Sequence, residues 1–162
     1  MKNLYQQKRQ EGFTIIEVLI VLAIAAVILL IVFLAVPALQ RNSRNNGIRN
    51  DAANLLAGVN DFISNNNGSL PTGATNTAPA ISITGAAGSN PTEAKVRGGT
   101  IVSLATGGCG AGPGALGTIA VHTGCKCNQA ATASQVAARA IVAQFQTETT
   151  SAGGVADQCI ES

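Results

Sequence analysis

The sequence predicts an α+β protein in which one long N-terminal helix packs on a small antiparallel sheet. Three observations support this fold: an unbroken apolar run near the N-terminus, helical spacing of apolar residues after it, and then short β-prone segments separated by glycine-rich turns. The 162 residues suffice for one modest domain. With 11% charged and 3% aromatic residues, the composition excludes a dedicated nucleic-acid binder, and 46% hydrophobic residues exclude a disordered tail.

The apolar run from Val18 to Leu39 contains no polar side chain and predicts a transmembrane helix. At 1.5 Å per residue it spans about 33 Å, which matches a bilayer core of roughly 30 Å. It is too long for the apolar core of a secretory signal peptide, which has about 7–15 residues. We therefore assign residues 13–39 to a membrane-spanning helix and the short polar segment 1–12 to a cytoplasmic leader.

Residues 40–64 continue the helix as an amphipathic half. Its apolar residues recur at helical spacing: Ile48, Ala52, Leu55, Leu56, Val59, Phe62 and Ile63. The residues between them are polar: Arg44, Arg49, Asn50, Asp51, Asn54, Asn60 and Asp61. The asparagine-rich sequence Asn65–Pro71 predicts the helix end. Pro37, Gly47 and Gly58 predict a bend or local melting within the helix.

The remainder divides into a variable loop at residues 65–99 and a sheet region at residues 100–162. We expect coil from residue 65 to about 93, apart from a short strand around Ile81 and Ile83, and give the Asn67-Gly68-Ser69 glycosylation pattern little weight. The predicted strands are Thr100–Ala105, Thr118–Thr123, about Ala138–Thr147 and Val155–Ile160. The alanine-rich stretch 130–143 could instead be helical, and a turn at residues 151–154 predicts that the last two strands form a hairpin.

Four cysteines, Cys109, Cys125, Cys127 and Cys159, all follow the membrane segment. An even number on one side indicates disulfides in an oxidising exterior, which leaves the leader inside; three pairings are open. A zinc site formed with His122 is disfavoured because Cys-Lys-Cys is tighter than usual zinc-ligand spacing, so no metal is expected.

No cofactor is expected either, and no enzyme activity is predicted. The segment GPGALG at residues 112–117 formally matches a dinucleotide-binding pattern, but it precedes a strand rather than a helix. The chain has one histidine and no paired acidic arrangement from which a catalytic nucleophile and base could be assembled.

The segment KRQEGFTIIEVLIVLAIAAVILLIVF resembles the processing and assembly segment of type IV prepilins. The resemblance rests on a basic leader that ends in Gly12, the aromatic Phe13 after it, Glu17 five residues into the mature chain, and the apolar helix. It implies cleavage between Gly12 and Phe13 by a prepilin peptidase, and N-methylation of the new Phe13 amine. A carboxylate at the bilayer centre costs about 2.5–3.5 kcal/mol. In the family, this glutamate is thought to pair with a neighbouring subunit's N-terminal amine; otherwise Glu17 snorkels to water.

The resemblance thus implies a structural subunit of a type IV pilus, which serves adhesion, motility or DNA uptake. Its expected partners are other pilin subunits, the prepilin peptidase, the assembly machinery and the inner membrane, where the C-terminal domain lies outside before it enters the extracellular pilus. Comparison with the family favours the pairs Cys109–Cys125 and Cys127–Cys159. Many relatives carry a helix-breaking proline near the position of Leu34, whereas this chain has Pro37. A pseudopilin of type II secretion and a non-assembling single-pass surface binding protein are the alternatives.

Overall fold

The computed structural model describes residues 12–75, 79–105, 109–110, 112–128, 133–150 and 153–162. The chain divides into two compact units, Met1–Gln40 and Arg41–Ser162. One helix, α1 (Ile15–Asn65), contributes residues to both. The first unit, as far as it is described, consists of this helix and the three residues before it.

The helical part of the first unit exposes its apolar side chains. The exposed fraction of the large ones runs from 39% at Val36 to 82% at Ile15. By length and composition, α1 could cross a membrane: its best 18-residue window has a mean hydropathy of 3.5, and none of that window is buried.

The helix is continuous through Pro37, Gly47 and Gly58, so the predicted local melting is wrong. Both glycines lie where another part of the second unit comes close. A Cβ at Gly58 would fall 2.9 Å from the Cβ of Ala94, and one at Gly47 would meet the guanidinium end of the Arg97 side chain. These glycines therefore permit close packing rather than interrupt the helix.

The helix ends at Asn65, as its asparagine-rich stop signal predicts. Asn67 and Gly68 adopt φ angles of 55° and 83°, and the Gly68 N–H donates to the Ile63 carbonyl at 2.8 Å. This left-handed turn satisfies the last helical carbonyls. The Asn66 amide donates to Phe62 O and also exchanges hydrogen bonds with the backbone N–H and C=O of Asn90, at 2.7 and 2.9 Å.

Residues 65–93, which were expected to be coil apart from a short strand around Ile81 and Ile83, contribute to a three-stranded antiparallel sheet; the expected strand is confirmed, and two further strands correct the expectation of coil around it. Its strands are β1 (Gly73–Thr75), β2 (Ala80–Thr84) and β3 (Thr92–Lys95). Ile81 and Ile83 on β2 are fully buried in the core that includes Phe62. Burial of these two side chains on the helix orders a segment that offers few other apolar anchors.

The second sheet has four strands in the order β4 (Ile101–Ala105), β5 (Thr118–Cys127), β6 (Ala133–Glu148) and β7 (Val155–Glu161). The antiparallel pairing of β6 and β7 confirms the predicted hairpin. Residues 133–143 belong to β6, so the helical alternative is wrong there, while residues 130–132 lie outside the described residues. The pairing of β4 with β5 is parallel, which corrects the prediction of a wholly antiparallel sheet.

Apolar residues of α1 and of both sheets form the core of the second unit. Ala52 and Val59 are fully buried there, and the predicted apolar face of the amphipathic half is confirmed. Asp51 is the exception to the predicted polar face, because it is only 3% exposed. Its carboxylate accepts hydrogen bonds from the backbone N–H and Nε of Arg97, at 3.2 and 3.0 Å, and from Thr100 Oγ1 at 2.9 Å.

Candidate functional site

Gly12 and Phe13, the residues predicted to flank the cleavage site, lie in the non-helical segment before α1. Both are exposed, and a Cβ at Gly12 would meet no atom of the described residues within 4 Å. The rest of the predicted leader, residues 1–11, lies outside the described residues.

Glu17 lies in the first turn of α1, and its carboxylate is bound within the chain. Glu17 Oε2 accepts hydrogen bonds from the backbone N–H of Thr14 at 2.8 Å and from Thr14 Oγ1 at 2.7 Å. In return, the Glu17 N–H donates to Thr14 Oγ1 at 3.4 Å. Because the helix begins at Ile15, Thr14 is the N-cap and Glu17 is the N3 residue of a capping box.

Thr14 was absent from the predicted site, although the sequence contains its signal. Threonine followed three residues later by glutamate, directly before an apolar run, is the signature of a capping box. The pattern Thr-Ile-Ile-Glu at residues 14–17 fits it.

Phe13 and Glu17 lie on one side of the helix start and line a shared open recess. The other lining residues are Val18, Val21 and Leu22, which are all apolar. The recess is a surface of the first unit that pairs one acidic group with a broad apolar helix face. Such a surface suits an apolar partner that carries one cation.

The four cysteines form two disulfides, Cys109–Cys125 and Cys127–Cys159, with Cα–Cα distances of 5.5 and 5.8 Å. This is the pairing that the resemblance favoured. The cysteines pack around Val142, which is fully buried. The second bridge joins the end of β5 to β7 across the intervening strand, and so ties the sheet together near the C-terminus.

The disulfides leave no cysteine thiolate for the disfavoured zinc site with His122. His122 lies on β5 and is 4% exposed, so it faces neighbouring residues rather than water. Among the described residues, no group of three or more histidine, cysteine or acidic side chains is arranged to hold a metal ion. Residues 112–117 form turns directly before β5, an arrangement that differs from a strand-to-helix dinucleotide loop.

Comparison with known proteins supports the interpretation of the N-terminal segment. No curated protein and no solved structure matches the chain. A family model described as the prokaryotic N-terminal methylation motif matches residues 7–33, which include Gly12, Phe13, Thr14, Glu17 and most of the exposed apolar helix. The motif is typical of structural proteins rather than enzymes. The chain therefore carries the prokaryotic N-terminal methylation motif, the signal of type IV pilins and prepilins.

Proposed function

We propose that this protein is a structural subunit of a type IV pilus, made as a prepilin and cleaved between Gly12 and Phe13. The observation that carries the proposal is the apolar helix of the first unit, which is exposed along its length and of which residues 15–33 lie within the methylation motif. An apolar surface of this extent needs lipid before assembly and other copies of the chain afterwards. A prepilin peptidase and a pilus assembly machinery are therefore its processing and assembly partners.

In this proposal the protein is stored as a single-pass protein of the inner membrane, with the disulfide-containing unit outside. Extraction into the filament replaces lipid contacts by helix contacts between copies. Glu17 then pairs with the methylated Phe13 amine of a neighbouring copy, which compensates the charge inside the apolar filament core. The chain catalyses no reaction; it is a substrate of processing enzymes and a building unit of the filament.

The first test is the mass of the main component of filaments sheared from cells. A chain that begins at Phe13, carries one added methyl group and gains four hydrogens on reduction supports processing, assembly and both disulfides. Absence from filaments, or a chain that still begins at Met1, contradicts the proposal. Recovery with a type II secretion pseudopilus instead of pili favours the pseudopilin alternative.

Substitution of Glu17 separates assembly from membrane insertion. In Glu17→Ala, we expect filament incorporation to collapse while the membrane-inserted pool remains, because the apolar helix still partitions into lipid. Ile16→Val removes one methyl group and no charge from an adjacent side chain that does not line the recess, and serves as the control. Wild-type assembly by Glu17→Ala would contradict the assigned pairing and favour the surface-protein alternative.

A further inference from the structure

The two carboxylate oxygens of Glu17 are not equivalent. Both hydrogen bonds from Thr14, one from its backbone N–H and one from its hydroxyl, end on Oε2. Oε1 accepts no hydrogen bond from any residue within the described part of the chain. A carboxylate can accept about four hydrogen bonds, so Oε1 retains its capacity for a second partner.

Thr14 fixes Glu17 through three hydrogen bonds. Its backbone N–H and its hydroxyl donate to the Glu17 carboxylate, and its hydroxyl oxygen accepts the Glu17 N–H. The hydroxyl donates to Oε2 at 2.7 Å while it accepts the Glu17 N–H at 3.4 Å. The side chain of Glu17 is thus tied back to the first turn of α1 on one oxygen. A flexible glutamate would lose more conformational freedom when it binds a cation than one that is already fixed, so this geometry favours association.

We propose that Thr14 is a positioning residue for assembly: it holds Oε2 of Glu17 within the chain and leaves Oε1 to accept the N-terminal amine of a second copy. This inference rests on the proposed pilin function and assigns a different role to each oxygen of one carboxylate. Oε2 caps the chain's own helix, and Oε1 makes the contact between copies. The Phe13 ring beside the same recess provides apolar surface next to that contact.

The test compares two substitutions of Thr14 in the full chain. Thr14→Val keeps the shape of the side chain but lacks the hydroxyl. Thr14→Ser loses a methyl group but keeps the hydroxyl. We expect Thr14→Val to lower the amount of subunit in sheared filaments by roughly fivefold, the factor that corresponds to a typical lost helix cap. Thr14→Ser should assemble as the wild type does.

Membrane abundance and the N-terminus of each variant are measured in the same cells. The proposal requires both to be unchanged in Thr14→Val, so that only incorporation falls. Wild-type incorporation of Thr14→Val overturns it, as does a defect in Thr14→Ser that Thr14→Val lacks, because shape rather than the hydroxyl would then matter. Accumulation of uncleaved Thr14→Val also overturns it, by assigning the hydroxyl to processing.

The wild-type chain separates this inference from the proposed function. If the wild type is absent from filaments, the pilin function itself fails. If the wild type assembles and Thr14→Val assembles equally well, only the role of Thr14 fails.

Discussion

The two halves of α1 belong to one continuous helix but meet different surroundings. Among the described residues of the first unit, the exposed fraction of every large apolar side chain is at least 39%. In the second unit, Leu55, Val59 and Phe62 are at most 1% exposed. Helical hydrogen bonding is common to both, so the difference lies in what covers the apolar side chains.

Because of this difference, the two halves of α1 are stabilised by contacts with different partners. Burial of a large apolar side chain contributes about 1.5–3 kcal/mol, and the second half obtains this contribution from sheets of the same chain. In the proposed function, the first half obtains it from lipid and then from other copies. Mutations in the second half should therefore affect folding, whereas mutations in the first half should affect insertion and assembly.

A matched pair of phenylalanine substitutions tests this division with the largest expected effect. Phe62→Ala removes a fully buried ring and should lower the free energy of unfolding of the second unit by about 3–5 kcal/mol. Phe33 is 77% exposed, so Phe33→Ala should leave that free energy unchanged. Urea unfolding of the full chain in detergent, followed by circular dichroism, measures both.

The effect of Phe33→Ala is expected in cells, where filament incorporation is measured instead of unfolding. Phe33→Ala is expected to reduce filament incorporation at normal membrane abundance, because it removes apolar surface that another copy should cover. A loss of unfolding free energy in Phe33→Ala equal to that in Phe62→Ala would show that the two halves of α1 do not have separate roles.

Removal of each disulfide in turn measures how much that crosslink contributes to the unfolding free energy of the second unit. Replacement of Cys127 and Cys159 by serine opens the larger loop, with a sequence separation of 32, and should cost about 3.7 kcal/mol. The same change at Cys109 and Cys125, with a separation of 16, should cost about 3.1 kcal/mol. The urea midpoints of the two double variants show which disulfide contributes more. Greater destabilisation on removal of the disulfide that closes the shorter loop would contradict the expected order.

The sequence predicted the helix well, because periodicity and an unbroken apolar run report the surroundings of each helical residue directly. It found β2 through Ile81 and Ile83 but missed β1 and β3, short strands with few apolar residues that pair with β2. The parallel pairing of β4 with β5 depends on the path of the connection, which residue patterns do not reveal.

The roles of the candidate site residues stay predictions, but the residues differ in how visible they are in the sequence. Gly12, Phe13 and Glu17 carry a signal that is contiguous in sequence, and Thr14 could have been found from the capping-box pattern. Asp51 could not, because its partner Arg97 is 46 residues away and helical spacing alone placed it among polar positions.

Asp51 provides a polar test of the buried half of α1. Asp51→Asn removes the charge from a carboxylate that accepts three hydrogen bonds, and we expect it to cost about 1.5–3 kcal/mol of unfolding free energy. Asp61→Asn, at an exposed position on the same helix, is the matched control and should be neutral within about 0.5 kcal/mol. Equal effects in urea unfolding would show that the three contacts of Asp51 do not stabilise the second unit.

The smallest expected effect is the pH dependence of the contact between Arg44 and Glu148. Two hydrogen bonds of 2.7 and 2.8 Å join the guanidinium to the carboxylate, and they lower the pKa of Glu148 from 4.5 and raise that of Arg44. Since the folded-state pKa of Glu148 lies below its unfolded value, the pair contributes stability above pH 4.5 that is lost as the pH falls through the lowered pKa.

Arg44→Gln isolates this contribution from that of the other carboxylates. Between about pH 6 and pH 3, the urea unfolding midpoint should fall further in the wild type than in Arg44→Gln, because only the wild type has the ion pair. The difference should be small, since the Arg44 side chain is 59% exposed and water screens the pair. Identical pH profiles would mean that the second half of α1 is held to β6 by apolar burial and by neutral hydrogen bonds alone. Those bonds include the pair that the Asn45 side chain exchanges with the Glu148 backbone.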